Sequence, residues 1–298
     1  MNRQNSQDPY RFYRRFALFC MMTVLLLCGL SCLQRENISG PQTGGEISPG
    51  SSLPQPPSPG SGYTPPPPDE STVPALRLII VADTLDSKIG RSVAIDSQNL
   101  QEMMGSIAAQ SNGGLVLKKI ILEGESATRH NLIRAVSYPK IGENDVVVFL
   151  YSGHGHRYQT TASRWPLMDT EGGNTDFAEI IRIIRSKNPR QFIALADCCN
   201  EVVVRGGERT FRRRFSYTQI QKMFITSKAQ YAASGSIPGQ FSYGDDNEGG
   251  LFTSSFIAGL SSALSSSQAD WEQVFEKTVS DVLMKSGNEQ RPQYEKYR

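Results

Sequence analysis

Val146-Val147-Val148-Phe149-Leu150-Tyr151 runs without a break into Ser152-Gly153-His154-Gly155-His156. The first six residues are apolar with no alternation, and all but Leu150 are β-branched or aromatic. A strand of that kind has both faces covered, as in a parallel sheet between helices. Working outward, similar runs occur at Leu78-Ile79-Ile80-Val81-Ala82, from Leu115 to Leu122 and at Phe192-Ile193-Ala194-Leu195-Ala196, with a weaker one from Ala229 to Ser234. Between them apolar residues recur at helical spacing: Leu100, Met103, Met104 and Ile107, then Phe177, Ile180, Ile181 and Ile184, then Trp271, Val274, Phe275, Val279 and Val282. One stripe per helix is what packing on a sheet face requires. Strand and helix alternating in this way predict a doubly wound α/β domain over residues 75–298. No G-x-G-x-x-G follows the first strand and no P-loop is present, so a nucleotide site is not expected.

In open parallel sheets, functional groups collect at the carboxyl ends of the strands. One run ends on His154 between two glycines, and another ends on Asp197-Cys198-Cys199-Asn200. If those strands are neighbours, an imidazole and a thiol can face each other across a cleft. Cysteine chemistry of that kind needs an ionisable thiol, a group to move the proton and donors for a developing oxyanion. His154 can move the proton. The N–H groups of Gly155 and Cys199 are the candidate oxyanion donors, the glycines permitting close approach. Cys198 and Cys199 point to opposite sides of the strand end, so only one can face the cleft. His156 lies on the same side as His154 and competes with it as base, although the glycine bracket favours His154. Asp197, an acid expected to be buried, needs a partner, and a cationic substrate side chain would be one. Adjacent cysteines close only a strained ring and no C-x-x-C is present, which argues against a thiol redox role.

Tyr-Ser-Gly-His-Gly at 151–155 followed by Asp-Cys-Cys at 197–199 resembles the caspase-like cysteine peptidases, and the metacaspases most of all, over most of residues 76–298. The resemblance implies an α/β, caspase-like three-layer sandwich with a mostly parallel central sheet and helices on both faces. It implies that His154 is the general acid/base and Cys199 the nucleophile. It also implies that Asp96 and Asp197 bind an Arg or Lys side chain of the substrate. Gly250-Leu251-Phe252-Thr253 and Gln290-Arg291-Pro292-Gln293 look like later motifs of the family. Asn200-Glu201-Val202 departs from the family's usual His-Ser-Gly, and Leu150 stands where a histidine is common. No cofactor is needed for the chemistry, but many metacaspases need calcium. Asp169 and Asp176 lie where calcium ligands of the family fall, against the alternative that both are plain surface carboxylates. Arg205, Arg209, Arg212, Arg213 and Arg214 follow the nucleophile. They read either as a solvated basic loop or, in an Arg-cleaving enzyme, as a site of self-processing.

The remainder of the chain reads as a delivery device. Arg3, Arg11, Arg14 and Arg15 precede an uncharged run from Phe16 to Cys32. Basic then apolar is the pattern of a secretory signal or signal anchor. The ending Leu30-Ser31-Cys32 resembles a lipoprotein signal with Cys32 as the acylated residue, although Gly29 stands where leucine is usual. The alternative is an uncleaved anchor helix. Both readings hold the remainder of the chain at a membrane and outside the cytoplasm. Residues 33–74 hold 11 of the 17 prolines, with Gly and Ser between them, and are expected to form an extended linker. The net charge of +2 favours no nucleic acid, and no partner of that class is expected. The five cysteines form no disulfide framework, and the three histidines form no Cys/His cluster with zinc spacing.

The reading that follows is a membrane-tethered cysteine endopeptidase acting on protein or peptide substrates with Arg or Lys at the cleavage site. Its competitor is a catalytically silent caspase-like fold that serves as a tethered interaction or signalling module.

Overall fold

The computed structural model describes residues 73–158, 162–198, 214–267 and 270–298. The expected signal with Cys32, nearly all of the linker, Cys199 and residues 200–213 of the basic loop lie outside the described residues.

From the first described residues, β1 (Ala75–Ala82) leads through a loop to α1 (Gly90–Ala109), β2 (Val116–Glu123), α2 (Arg129–Ser137) and β3 (Val146–Gly153). A small antiparallel sheet follows, made of β4 (Gly155–His156), β5 (Leu167–Thr170) and β6 (Gly173–Asp176). Next come α3 (Phe177–Ser186), β7 (Gln191–Cys198), the short α4 (Tyr217–Ile220) and β8 (Gln230–Ser234). A two-rung hairpin, β9 (Gly244–Asp245) and β10 (Gly249–Gly250), runs into α5 (Leu251–Leu264), and α6 (Trp271–Lys285) and β11 (Gln293–Lys296) end the chain. The main sheet has six strands in the order β11-β8-β7-β3-β1-β2. All its pairings are parallel except that of β11 with β8.

Side-chain alternation sorts the strand residues into two layers. Leu78, Ile80, Val148, Leu150, Ile193 and Leu195 face one core with α1, α5 and α6. Ile79, Val81, Val147, Phe149, Phe192 and Ala194 face the other with α2 and α3. Each large side chain left uncovered would forfeit about 1.5–3 kcal/mol, so both helix layers are needed. The three-layer α/β sandwich expected from the continuous apolar runs is therefore the observed architecture.

Four elements differ from the sequence reading. The run from Leu115 to Leu122 forms β2, shifted by one residue, but β2 is an edge strand and not a strand covered on both faces. Val116 is 39% exposed, and on it Lys118 is only partly buried and Lys119 is exposed. Lysines on an edge discourage pairing with a further strand. At the other edge β11, polar in sequence, pairs antiparallel with β8. Helix α2 buries only Leu132, Ala135 and Val136, too few for a readable stripe, and starts where Thr128 Oγ1 accepts the Asn131 N–H at 3.1 Å. Helix α5 is buried nearly all round, serines included, so it shows no polar face against which a period could be read.

Candidate active site

The parallel register of β3 and β7 sets Ser152 beside Asp197 and Gly153 beside Cys198. His154 and Cys199 are the residues that follow this last rung on the two strands. Alternation sends Ser152 and Asp197 toward α1 and α5, and sends Tyr151 and Cys198 into the opposite core. Cys198 is buried to 1% exposure there. It fills space between core side chains, as a buried thiol commonly does.

The loop that carries His154 is held from both sides. The Tyr151 hydroxyl reaches the carbonyl oxygens of His154 and Asp169 at 2.6 and 2.5 Å. The Asp169 N–H donates to the same His154 carbonyl at 3.0 Å. That bond makes Gly155 and Met168 a non-hydrogen-bonded pair, so the Gly155 N–H is turned away from β5, as an oxyanion donor must be. Gly155 is required by crowding and not by its backbone angle. A Cβ there would lie 2.8 Å from Cys198 Sγ and 2.8 Å from the Leu167 carbonyl oxygen. Gly155→Ala is expected to cost about 1–3 kcal/mol by overpacking and to displace His154. Thermal unfolding alongside peptide hydrolysis checks this, and full activity at unchanged Tm would contradict it.

Asp86, in the loop between β1 and α1, places Oδ2 3.2 Å from His154 Nε2. Its other oxygen accepts the N–H groups of Lys88 and Ile89 at 2.7 and 2.9 Å. Burial alone would raise this carboxyl. The two N–H groups and the imidazole outweigh burial and hold it below the ordinary carboxylate value. Asp83 is raised instead, first by burial and then by the charge of Asp86. His156 is engaged elsewhere: its Nδ1 lies 2.7 Å from Asp169 Oδ1, and Asn174 Nδ2 is 3.4 Å from its Nε2.

Two carboxyl groups meet under this strand end. Asp96, from α1, is 1% exposed and Asp197, from β7, is 5% exposed. Asp96 accepts the Ser152 hydroxyl at 2.7 Å and the Gly250 N–H at 2.8 Å. Asp197 accepts the Ser242 hydroxyl at 2.8 Å, and the Thr253 N–H and hydroxyl at 2.9 and 2.7 Å. A Cβ on Gly250 would strike both acids, and Gly249 adopts a φ of 83° beside Asp96. The Gly250–Thr253 motif is thus the backbone that binds the acid pair. Burial, then the charge of Asp197, pushes the Asp96 carboxyl well above its ordinary value. Burial also raises Asp197, but its three donors pull it back, so Asp96 is the carboxyl of the two held higher. Among the described residues no Lys or Arg pairs with either acid.

Gln290 and Gln293, from the other late motif, hold the surrounding loops. Gln290 Nε2 donates to the Gly235 carbonyl and to Ser242, and its Oε1 accepts the Tyr243 N–H. Gln293 Nε2 lies within bonding distance of the Arg164 carbonyl, Ser234 Oγ and the Ser236 carbonyl. The two acids read as calcium ligands are occupied in other ways. Asp169 accepts from His156, and Asp176 caps α3 by accepting the Ala178 N–H at 2.8 Å. Among the described residues no group of three or more His, Cys, Asp and Glu side chains could hold a metal ion. No described helix is long and apolar enough to cross a membrane.

Sequence reasoning named His154, Gly155, Asp96 and Asp197, which the fold brings to one end of the sheet. It missed Asp86 and Ser242. For Asp86 a local signal exists, since an aspartate in a loop can accept the N–H groups two and three residues on, here those of Lys88 and Ile89.

The sequence model of the family described as the caspase domain matches residues 92–297. A search among curated proteins finds no match. Among solved structures, a protein from Geobacter sulfurreducens is 14% identical, with 75% of this chain and 93% of that chain covered and a TM-score of 0.45. Caspase-1 from Spodoptera frugiperda is 11% identical, with 76% of this chain and 89% of that chain covered and a TM-score of 0.49.

Proposed function

The chain belongs to the caspase-domain family of cysteine peptidases, and from that premise we propose that it is an endopeptidase cleaving after Arg or Lys. In this reading the Cys199 thiolate attacks the scissile carbonyl carbon and forms the C–S bond. The oxyanion is held by the Gly155 and Cys199 N–H groups. His154 gives its proton to the leaving amine as the C–N bond breaks, and then takes one from the water that hydrolyses the thioester. The observation that carries the specificity is the buried pair Asp96 and Asp197, with no cationic partner among the described residues. A guanidinium or ammonium group supplies the missing charge. Self-processing among Arg205, Arg209 and Arg212–Arg214 belongs to the same reading. So does an extracytoplasmic location, with Cys32 or an anchor helix as the tether.

The test is hydrolysis of a fluorogenic peptide panel differing only in the residue before the scissile bond. Arg and Lys peptides are expected to turn over, and Asp or neutral peptides to do so at least about 100-fold less well. A preference for Asp or for an apolar residue would overturn the specificity. Absence of turnover, with and without calcium, would favour the silent module.

The same acids predict a pH dependence. Below the raised value of Asp96 its carboxyl is protonated, and a cation must displace that proton to bind. Affinity for a reversible Arg-aldehyde inhibitor is therefore expected to rise by up to about tenfold per pH unit until Asp96 ionises in the free protein, then to level off. A citrulline analogue, similar in shape but neutral, should lack this rise. Equal pH profiles for the two inhibitors would exclude a proton-linked pocket.

A further inference from the structure

A carboxylate beside a catalytic imidazole does useful work only if it is itself fixed, and Asp86 is fixed by chain geometry. Its Oδ1 is tied to the N–H groups of Lys88 and Ile89, and its carbonyl accepts the Gly90 N–H at 2.9 Å. Gly90 in turn has no room for a side chain, since a Cβ would lie 2.5 Å from the Thr84 carbonyl oxygen. The loop is therefore tight, and Oδ2 is left directed at His154 Nε2 at 3.2 Å. A ring nitrogen facing a carboxylate carries the hydrogen. With Nε2 so committed, Nδ1 is the nitrogen left to exchange a proton with a thiol.

We infer that Asp86 is a positioning residue that fixes the tautomer and orientation of His154, making the machinery Cys199, His154 and Asp86 in place of a pair. The inference rests on the peptidase reading given above. It concerns a side chain distant in sequence from both strand ends, in a loop whose residues carry none of the quoted motifs. Among the described residues, the groups that face His154 are few. Asp83 and Asp86 approach from the β1–α1 loop. Tyr151 holds the histidine carbonyl from beneath. Asp169 touches it through its backbone and turns its carboxylate to His156. A negative charge at Asp86 favours the imidazolium that forms when the thiol gives up its proton.

Asp86→Asn is the informative substitution. The asparagine oxygen can still accept the Lys88 and Ile89 N–H groups, so the loop is kept. A flipped amide would set its NH2 against those two donors, so the NH2 must face His154. A donor facing Nε2 selects the tautomer with hydrogen on Nδ1, which cannot accept the thiol proton. The expected results are a Tm within about 2 °C of wild type and a loss on the order of 100-fold in kcat with little change in KM. Nitrogen-15 NMR of the histidines in the full chain should show His154 hydrogen moving from Nε2 to Nδ1. Unchanged kcat and tautomer in Asp86→Asn would overturn the inference. So would a loss of activity that only follows a lowered Tm. Failure of the peptidase reading looks different: Cys199→Ala would then hydrolyse peptide as fast as wild type, while the tautomer change in Asp86→Asn persists and upholds the contact.

Discussion

Cys199→Ala is expected to abolish peptide hydrolysis, with a loss of at least about 1,000-fold, while Cys198→Ala retains most of it. The contrast follows from strand alternation. Cys198 is buried among Tyr151, Ala196 and the other residues of one core, and its own side chain and the Leu167 carbonyl leave no room for a side chain on Gly155. A thiol so enclosed has no space for an approaching carbonyl. Truncating it removes one buried sulfur, at about 1 kcal/mol of stability. Fluorogenic hydrolysis, with mass-spectrometric mapping of a labelled Arg-chloromethylketone, separates the two cysteines. Label retained in Cys199→Ala and lost in Cys198→Ala would reverse the assignment and with it the proposed chemistry.

The second large effect is at Asp96, where activity and stability should move in opposite directions. Asp96→Asn can keep both hydrogen bonds, its oxygen accepting the Gly250 N–H and its NH2 donating to the Ser152 hydroxyl. What it loses is charge. Leaving a buried guanidinium with one carboxylate in place of two costs about 3–5 kcal/mol, more than two orders of magnitude in kcat/KM for an Arg peptide. The free protein responds the other way. A carboxyl raised in the folded state contributes its full stability below the ordinary value, and that contribution is lost as pH rises through the raised one. Asparagine never ionises, so the variant should gain on wild type as pH climbs through that window, by about 2–4 °C in Tm per kcal/mol. Melting curves in a pH series rising from below the ordinary carboxylate value give the sign. A variant less stable than wild type at every pH would mean that the two acids are not in conflict.

Much of this was legible in the chain. Val146–Tyr151 and Phe192–Ala196 are strands because unbroken apolar runs are stable only when covered on both faces. His154 and Asp197 are placed by those same runs, since each stands just past the end of one. Other features were hidden for definite reasons. Helix α5 carries no stripe because its serines are buried with its leucines. β11 reads as polar because it closes an edge, and β2 reads as buried although it lies at one.

What the sequence by itself determined was the layering and the identity of two strand ends, because apolar periodicity is a local property written into consecutive residues. What only the tertiary structure decided was company: that Asp96 of α1 lies beside the charge of Asp197 of β7, that Cys198 faces away, and that Asp86 reaches His154. Those relations depend on strand order and register, and a carboxyl group acquires its charge and its partner only from whatever the folded chain sets within a few ångströms of it.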